Sequence, residues 1–252
     1  MTRINPLLLS DRLRAKTLDR FHAVDMASPG NVAEHSFGVQ VIAEHLLVNI
    51  YEAKNSPLLD PIPLGNTATT APSIEERYYL MKYAQVHDLP ELVASDVATP
   101  TKMYIRANEK SVDALMDILD NELMGDISDA VMDTIRDALT KHMMTFDDIM
   151  DKIEHECLPE LADIMTYFKM RPHLKVVAKA ADILEAMSLF KTGRGRDEIQ
   201  NERIEKKLNI ALESLVAKAS DDMPEFNWGC VLLTQETLIR GDSSINEFEA
   251  TF

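Results

Sequence analysis

Apolar residues recur every three or four positions through most of the chain, and strictly alternating apolar and polar runs are few, so the pattern predicts an all-α protein. The segment opening at Asn31 carries the clearest signal. Asn31 stands as an N-cap with Glu34 three residues on, a spacing that satisfies free backbone N–H groups at a helix start. The helix is expected to run to about Glu52, with an apolar stripe of Val32, Val39, Ile42, Ala43, Leu46 and Ile50, and His35 falls on that stripe. Ser73 and Glu76 repeat the capping pattern and open a helix through about Asp88, with Leu80, Met81, Ala84, His87 and Asp88 on one face. Further helices are expected over about 5–22, 105–124, 126–143, 146–170, 173–191 and 196–218.

Breaks in the pattern set the organisation. Residues 55–73, NSPLLDPIPLGNTATTAPS, hold four of the eleven prolines and read as a loop inserted between two core helices. Pro90 prevents regular continuation after His87 and Asp88, so the chain should bend there, before Glu91 and Asp96, in a natural place for a cleft. We expect one domain over residues 1–191 and a helical C-terminal extension over 192–252 packed on it; Pro224, Trp228, Gly229 and Gly241 obscure the reading of its last part.

Composition narrows the function classes. A hydrophobic fraction of 46% mixed with 27% charge over 252 residues is that of a folded globular protein. No apolar run approaches the roughly 20 residues that span a bilayer, and the N-terminus has no cleavable leader pattern, so neither a membrane segment nor export is expected and the cytoplasm is the expected compartment. Cys157 and Cys230 stand far apart without a CxxC pair and read as ordinary thiols. The formal net charge of −16 disfavours nucleic acid and anionic membranes as partners. A small phosphorylated substrate remains compatible with that charge, because a metal and one arginine dominate locally.

A metal that activates water needs neutral imidazoles and carboxylates converging from different elements, with a coordination position left open. His35, His87, Asp88 and Asp182 offer such a set, and Asp182 is flanked by Ala178, Ala181 and Ala186, whose small side chains let helices approach closely. Periodicity alone leaves two readings open: a histidine on an apolar stripe is also what a hydrogen-bonded core residue looks like. The Glu154–His155–Glu156 cluster reads as a solvated acidic face, because adjacent helix residues point apart. His22, His45, His142 and His173 read as ordinary structural or surface histidines, and GRGRDE after Lys191 reads as a helix connection.

The ordered set NVAEHS at 31–36, HDLPE at 87–91, TPTK at 99–102 and KAAD at 179–182 resembles the HD-domain metal-dependent phosphohydrolases, and more narrowly their 5′-deoxynucleotidase branch. The resemblance spans roughly residues 10–190 and implies an HD-domain helical bundle. It implies His35, His87, Asp88 and Asp182 as ligands of one divalent metal ion, with Co, Mn, Zn, Fe and Ni all compatible. It further implies Glu91 and Asp96 as catalytic acids, Arg20 as the phosphate grip, Phe21 as the ring that touches the nucleoside, and Lys102 as a second phosphate contact. Phe21 stands where the family has tryptophan, and Ser95 where it has glycine.

The activity this implies is hydrolysis of deoxynucleoside 5′-monophosphates to nucleoside and phosphate, in a homo-oligomer. The alternative is a dNTP triphosphohydrolase, for example one converting dATP to deoxyadenosine and triphosphate. A non-catalytic protein that binds metal and nucleotide is a third reading, against which the presence of both Glu91 and Asp96 argues.

Overall fold

Capping chemistry starts the first two helices where the sequence places it. The Asn31 side chain accepts the Glu34 N–H at 3.0 Å, and α1 follows over Val32–Glu52. Ser73 and Glu76 satisfy each other reciprocally, Ser73 N–H to Glu76 Oε2 at 2.7 Å and Glu76 N–H to Ser73 Oγ at 3.1 Å, and α2 follows over Ile74–Val86. The computed structural model describes residues 8, 12–16, 30–52, 71–89, 158–191 and 198–240. Its remaining helices are α3 (Pro159–Met170), α4 (Pro172–Lys191), α5 (Glu198–Asp222) and α6 (Gly229–Arg240). A 3₁₀ turn lies at Arg14–Lys16. The described residues form no β-strand, in keeping with the all-α expectation.

Three expectations need correction. The helix expected over 146–170 does not pass through Leu158, which is not helical; α3 begins at Pro159, whose fixed φ and missing N–H suit a first helical position and not an interior one. The second helix stops at Val86 instead of Asp88, and His87, Asp88 and Leu89 form a turn closed by Leu89 N–H to Val86 O at 3.1 Å. On α1 the stripe is buried except at Ile42, which lines an open groove with Val41, His45 and Leu233, while Leu47 is fully buried.

The chain divides into two units, Met1–Ser36 with Gln85–Tyr167 and Phe37–Ala84 with Phe168–Phe252, and each division falls inside a continuous helix, α1, α2 or α3. In the first unit, Ala15, Val32, Val86, Leu89, Leu158, Leu161 and Ile164 are buried, and Arg12 pairs with Glu160. In the second, α4 packs on both α5 and α6, and α5 on α6. Trp228, just before α6, is among the largest fully buried side chains, and its indole N–H donates to Met223 O at 2.9 Å. Withdrawing such a ring from water favours folding by about 4–6 kcal/mol before entropy. Asn227 N–H donates to Ile50 O at 2.9 Å and so satisfies a carbonyl in the last turn of α1.

No helix among the described residues is long and apolar enough to cross a membrane.

Candidate metal centre

His35 sits in the first turn of α1, held there by the Asn31 cap, and is 2% exposed. His87 and Asp88 project from the turn that ends α2. His35 Nε2 lies 3.3 Å from His87 Nε2. The Asp88 carboxylate addresses both rings, Oδ2 at 3.1 Å from His35 Nε2 and Oδ1 at 3.2 Å from His87 Nε2. Asp182 stands in the middle of α4. Lys179, one turn before Asp182, reaches its Oδ2 at 2.6 Å from a largely exposed position.

These separations fit a cation. Bonds of about 2.0–2.2 Å from a common ion to N and O ligands place neighbouring ligand atoms about 3.0–3.5 Å apart in octahedral or tetrahedral arrangements. The imidazole–imidazole and imidazole–carboxylate distances fall in that range. The donor set is mixed N and O, which suits a first-row divalent ion and does not select one. Two imidazoles and one carboxylate on a six-coordinate ion leave further positions open.

The close approach of α1 and α4 behind the ligands has a cause the sequence reading passed over. A Cβ on Gly38 would come within 2.8 Å of Glu185 Cγ, so only glycine fits there with Glu185 as placed. Gly38 lies three residues after His35 and Glu185 three after Asp182, so the contact is one helical turn from each. The alanines expected to permit this approach are buried, Ala178, Ala181 and Ala186 together with Ala180. A glycine inside an otherwise regular helix was the available signal, since it has a packing reason more often than not.

The other anticipated site residues, Arg20, Phe21, Glu91, Asp96 and Lys102, lie outside the described residues, as do His22, His142, Glu154, His155, Glu156, Cys157 and most of the GRGRDE connection. Cys230 is a buried thiol. His45 faces Asn49 at 2.9 Å on the exposed side of α1, in keeping with a surface role.

His173 is less ordinary than expected. It is buried with Glu76 and Tyr51, with His173 Nε2 at 3.1 Å from Glu76 Oε1 and 3.2 Å from the Tyr51 hydroxyl, which itself donates to Glu76 Oε1 at 3.0 Å. Its ring stacks on Phe226 at 4.6 Å. Burial pushes the His173 imidazole below its ordinary value, against the opposing pull of Glu76. Burial alone would raise the Glu76 carboxyl, but the Ser73 and Tyr51 hydrogen bonds and His173 outweigh it and hold the carboxyl below its ordinary value.

The HD phosphohydrolase DatZ of cyanophage S-2L, solved with dA and one catalytic Zn²⁺ ion, superposes at a TM-score of 0.58, covering 94% of this chain and 99% of that one at 18% identity. The chain has the HD-domain fold. A dATP triphosphohydrolase of Acinetobacter phage SH-Ab 15497 is 25% identical over 231 residues, covering 89% of this chain and 87% of that protein. No family model matches the chain. The two likenesses support an HD-domain phosphohydrolase; the narrower 5′-deoxynucleotidase branch is not shown. The two imidazoles and the Asp88 carboxylate of this chain support a divalent metal.

Proposed function

We propose that the protein is a metal-dependent dNTP triphosphohydrolase, with dATP as the first substrate to test. The observation that carries the proposal is the convergence of His35, His87 and Asp88 within the HD fold, the carboxylate standing 3.1 and 3.2 Å from the two rings. The 25% identity to a dATP triphosphohydrolase supports the substrate. The reaction adds water across the bond between the 5′-oxygen and the α-phosphorus and yields a deoxynucleoside and triphosphate.

In this reading His35, His87, Asp88 and Asp182 hold the cation, which when bound supplies Lewis-acid polarisation of a phosphoryl oxygen and a water of lowered pKa. Arg20 grips phosphate oxygens through paired hydrogen bonds and stabilises their charge as the bond breaks. Phe21 stacks on the nucleoside, with less surface than a tryptophan and no N–H to offer. Glu91 and Asp96 divide the proton transfers, one taking the proton of the attacking water and the other protonating the departing 5′-oxygen. Lys102 adds a second contact to the phosphate chain. The proposal includes a homo-oligomer, a cytoplasmic location, no nucleic-acid partner, and one domain over 1–191 carrying the 192–252 extension; packing of α5 and α6 on α4 supports that last point.

The intact motif order NVAEHS, HDLPE, TPTK and KAAD favours a second reading, hydrolysis of deoxynucleoside 5′-monophosphates. Purified protein incubated with dATP, the other dNTPs and the dNMPs, each with Mn²⁺, Co²⁺ or Zn²⁺, separates the two by product. Triphosphate with deoxyadenosine is the expected outcome. Orthophosphate from dNMPs alone would establish the second reading, and tight nucleotide binding without turnover a non-catalytic protein.

A further inference from the structure

The buried Tyr51–Glu76–His173 cluster joins α1, which carries His35, α2, which leads into the turn of His87 and Asp88, and α4, which carries Asp182, at places far from those residues. Tyr51 lies near the C-terminal end of α1, Glu76 in the first turn of α2 and His173 in the first turn of α4. His35 is sixteen residues before Tyr51, His87 eleven after Glu76, and Asp182 nine after His173. Helical rise makes these about 24, 16 and 14 Å. A helix is stiff over such lengths, so sliding or rotating one end carries the ligand with it, while metal–ligand bonds tolerate only about 0.2 Å.

The chemistry of the cluster fixes a register. One Glu76 oxygen accepts the Ser73 N–H of its own cap at 2.7 Å, and the other accepts from Tyr51 at 3.0 Å and His173 at 3.1 Å, with Arg171 Nε at 3.5 Å. Phe226 closes the cluster, stacked on His173 and edge-on to Tyr51 at 5.3 Å. Well-packed apolar side chains in such a place commonly give equal or greater stability than a buried ionic group. The directional contacts add one permitted alignment of α1, α2 and α4, which an apolar contact would leave free to slip.

We propose that Tyr51, Glu76 and His173 are positioning residues of the metal centre, a clasp that sets the relative register of α1, α2 and α4. The inference rests on the reading of His35, His87, Asp88 and Asp182 as metal ligands.

The test compares metal-free full-length wild type with Tyr51→Phe, which removes one hydroxyl, and Glu76→Gln, which keeps a capping-box residue and so protects the fold of α2. Leu212→Ala, a cavity in fully buried α5 packing, serves as a control of lowered stability elsewhere. Mn²⁺ is titrated calorimetrically well below each melting temperature, and kcat and KM are then measured on dATP. The clasp predicts a Mn²⁺ dissociation constant raised about two- to thirty-fold in the clasp variants, a lower kcat at unchanged KM, and partial rescue by excess Mn²⁺. Leu212→Ala keeps wild-type affinity. Wild-type affinity and kcat in folded clasp variants overturns the clasp alone, as does an equal loss in Leu212→Ala. Failure of wild type to bind Mn²⁺ overturns both the clasp and the proposed function.

Discussion

Two clusters in this chain are built from the same parts and differ in how those parts are satisfied. At Glu76 and His173 a carboxylate and an imidazole stand 3.1 Å apart, and a hydroxyl and a capping N–H complete the carboxylate's contacts from within the protein. At His35, His87 and Asp88 the carboxylate–imidazole distances are again 3.1 and 3.2 Å, but two imidazole nitrogens face each other at 3.3 Å. Hydrogen-bond donors are what the first arrangement collects around an acceptor; lone-pair donors around one point are what the second collects. That contrast separates a structural polar cluster from a cation site where residue type alone does not.

The largest expected effect comes from breaking the second cluster at its shared ligand. Asp88→Ala removes the carboxylate that addresses both rings, and metal content and turnover should both vanish, well beyond the roughly 10–100-fold effect of an outer-shell partner. Elemental analysis and product assay read the two together; turnover retained in a metal-stripped variant would place the chemistry elsewhere.

A smaller effect tests the backbone behind the site. In an open helix, Gly→Ala stabilises by about 1 kcal/mol, but at Gly38 the new methyl meets Glu185 Cγ. Overpacking of this kind costs about 1–3 kcal/mol, so Gly38→Ala should lose about 1 kcal/mol in denaturant unfolding and roughly tenfold in kcat by displacing the ligand-bearing turns. A gain in stability with full activity would show that Glu185 yields freely and that the helix spacing is not critical.

The smallest effect belongs to the other cluster and is read by pH. Both Glu76 and His173 have folded-state values below their ordinary ones of 4.5 and 6.5. The unfolded chain therefore binds more protons across each interval, and stability falls as pH falls. His173's contribution is complete above about 6.5 and is lost below it; Glu76's is complete above 4.5 and is lost below it. His173→Phe should flatten the upper part of an unfolding free-energy profile between pH 7 and 5 relative to wild type, and an unchanged profile would remove His173 from the account.

Much of this contrast was hidden in the sequence for a physical reason. Helix starts at Asn31 and Ser73 were legible because a cap and its N–H groups lie within three residues of each other. The interruption at Pro159 and the stop at Val86 were also local, but apolar periodicity running through each segment masked them. Ile42 and Leu47 exchanged places because a stripe drawn from spacing does not say how wide an arc the neighbouring helices cover. Glu76 was legible as a cap and not as a clasp, since Tyr51 and His173 stand 25 and 122 residues from the groups they meet. His35, His87, Asp88 and Asp182 stood out only as an ordered family pattern, and the distances among the first three required the folded chain. Arg20, Phe21, Glu91, Asp96 and Lys102 rest on that pattern.

X-ray absorption at the metal edge of the Zn²⁺- or Mn²⁺-loaded protein tests the central claim most directly. The account predicts two imidazole ligands with oxygen ligands completing the shell, and one imidazole fewer in His35→Ala and in His87→Ala. A loaded metal with no imidazole scattering, or with a shell unchanged by both substitutions, would contradict it.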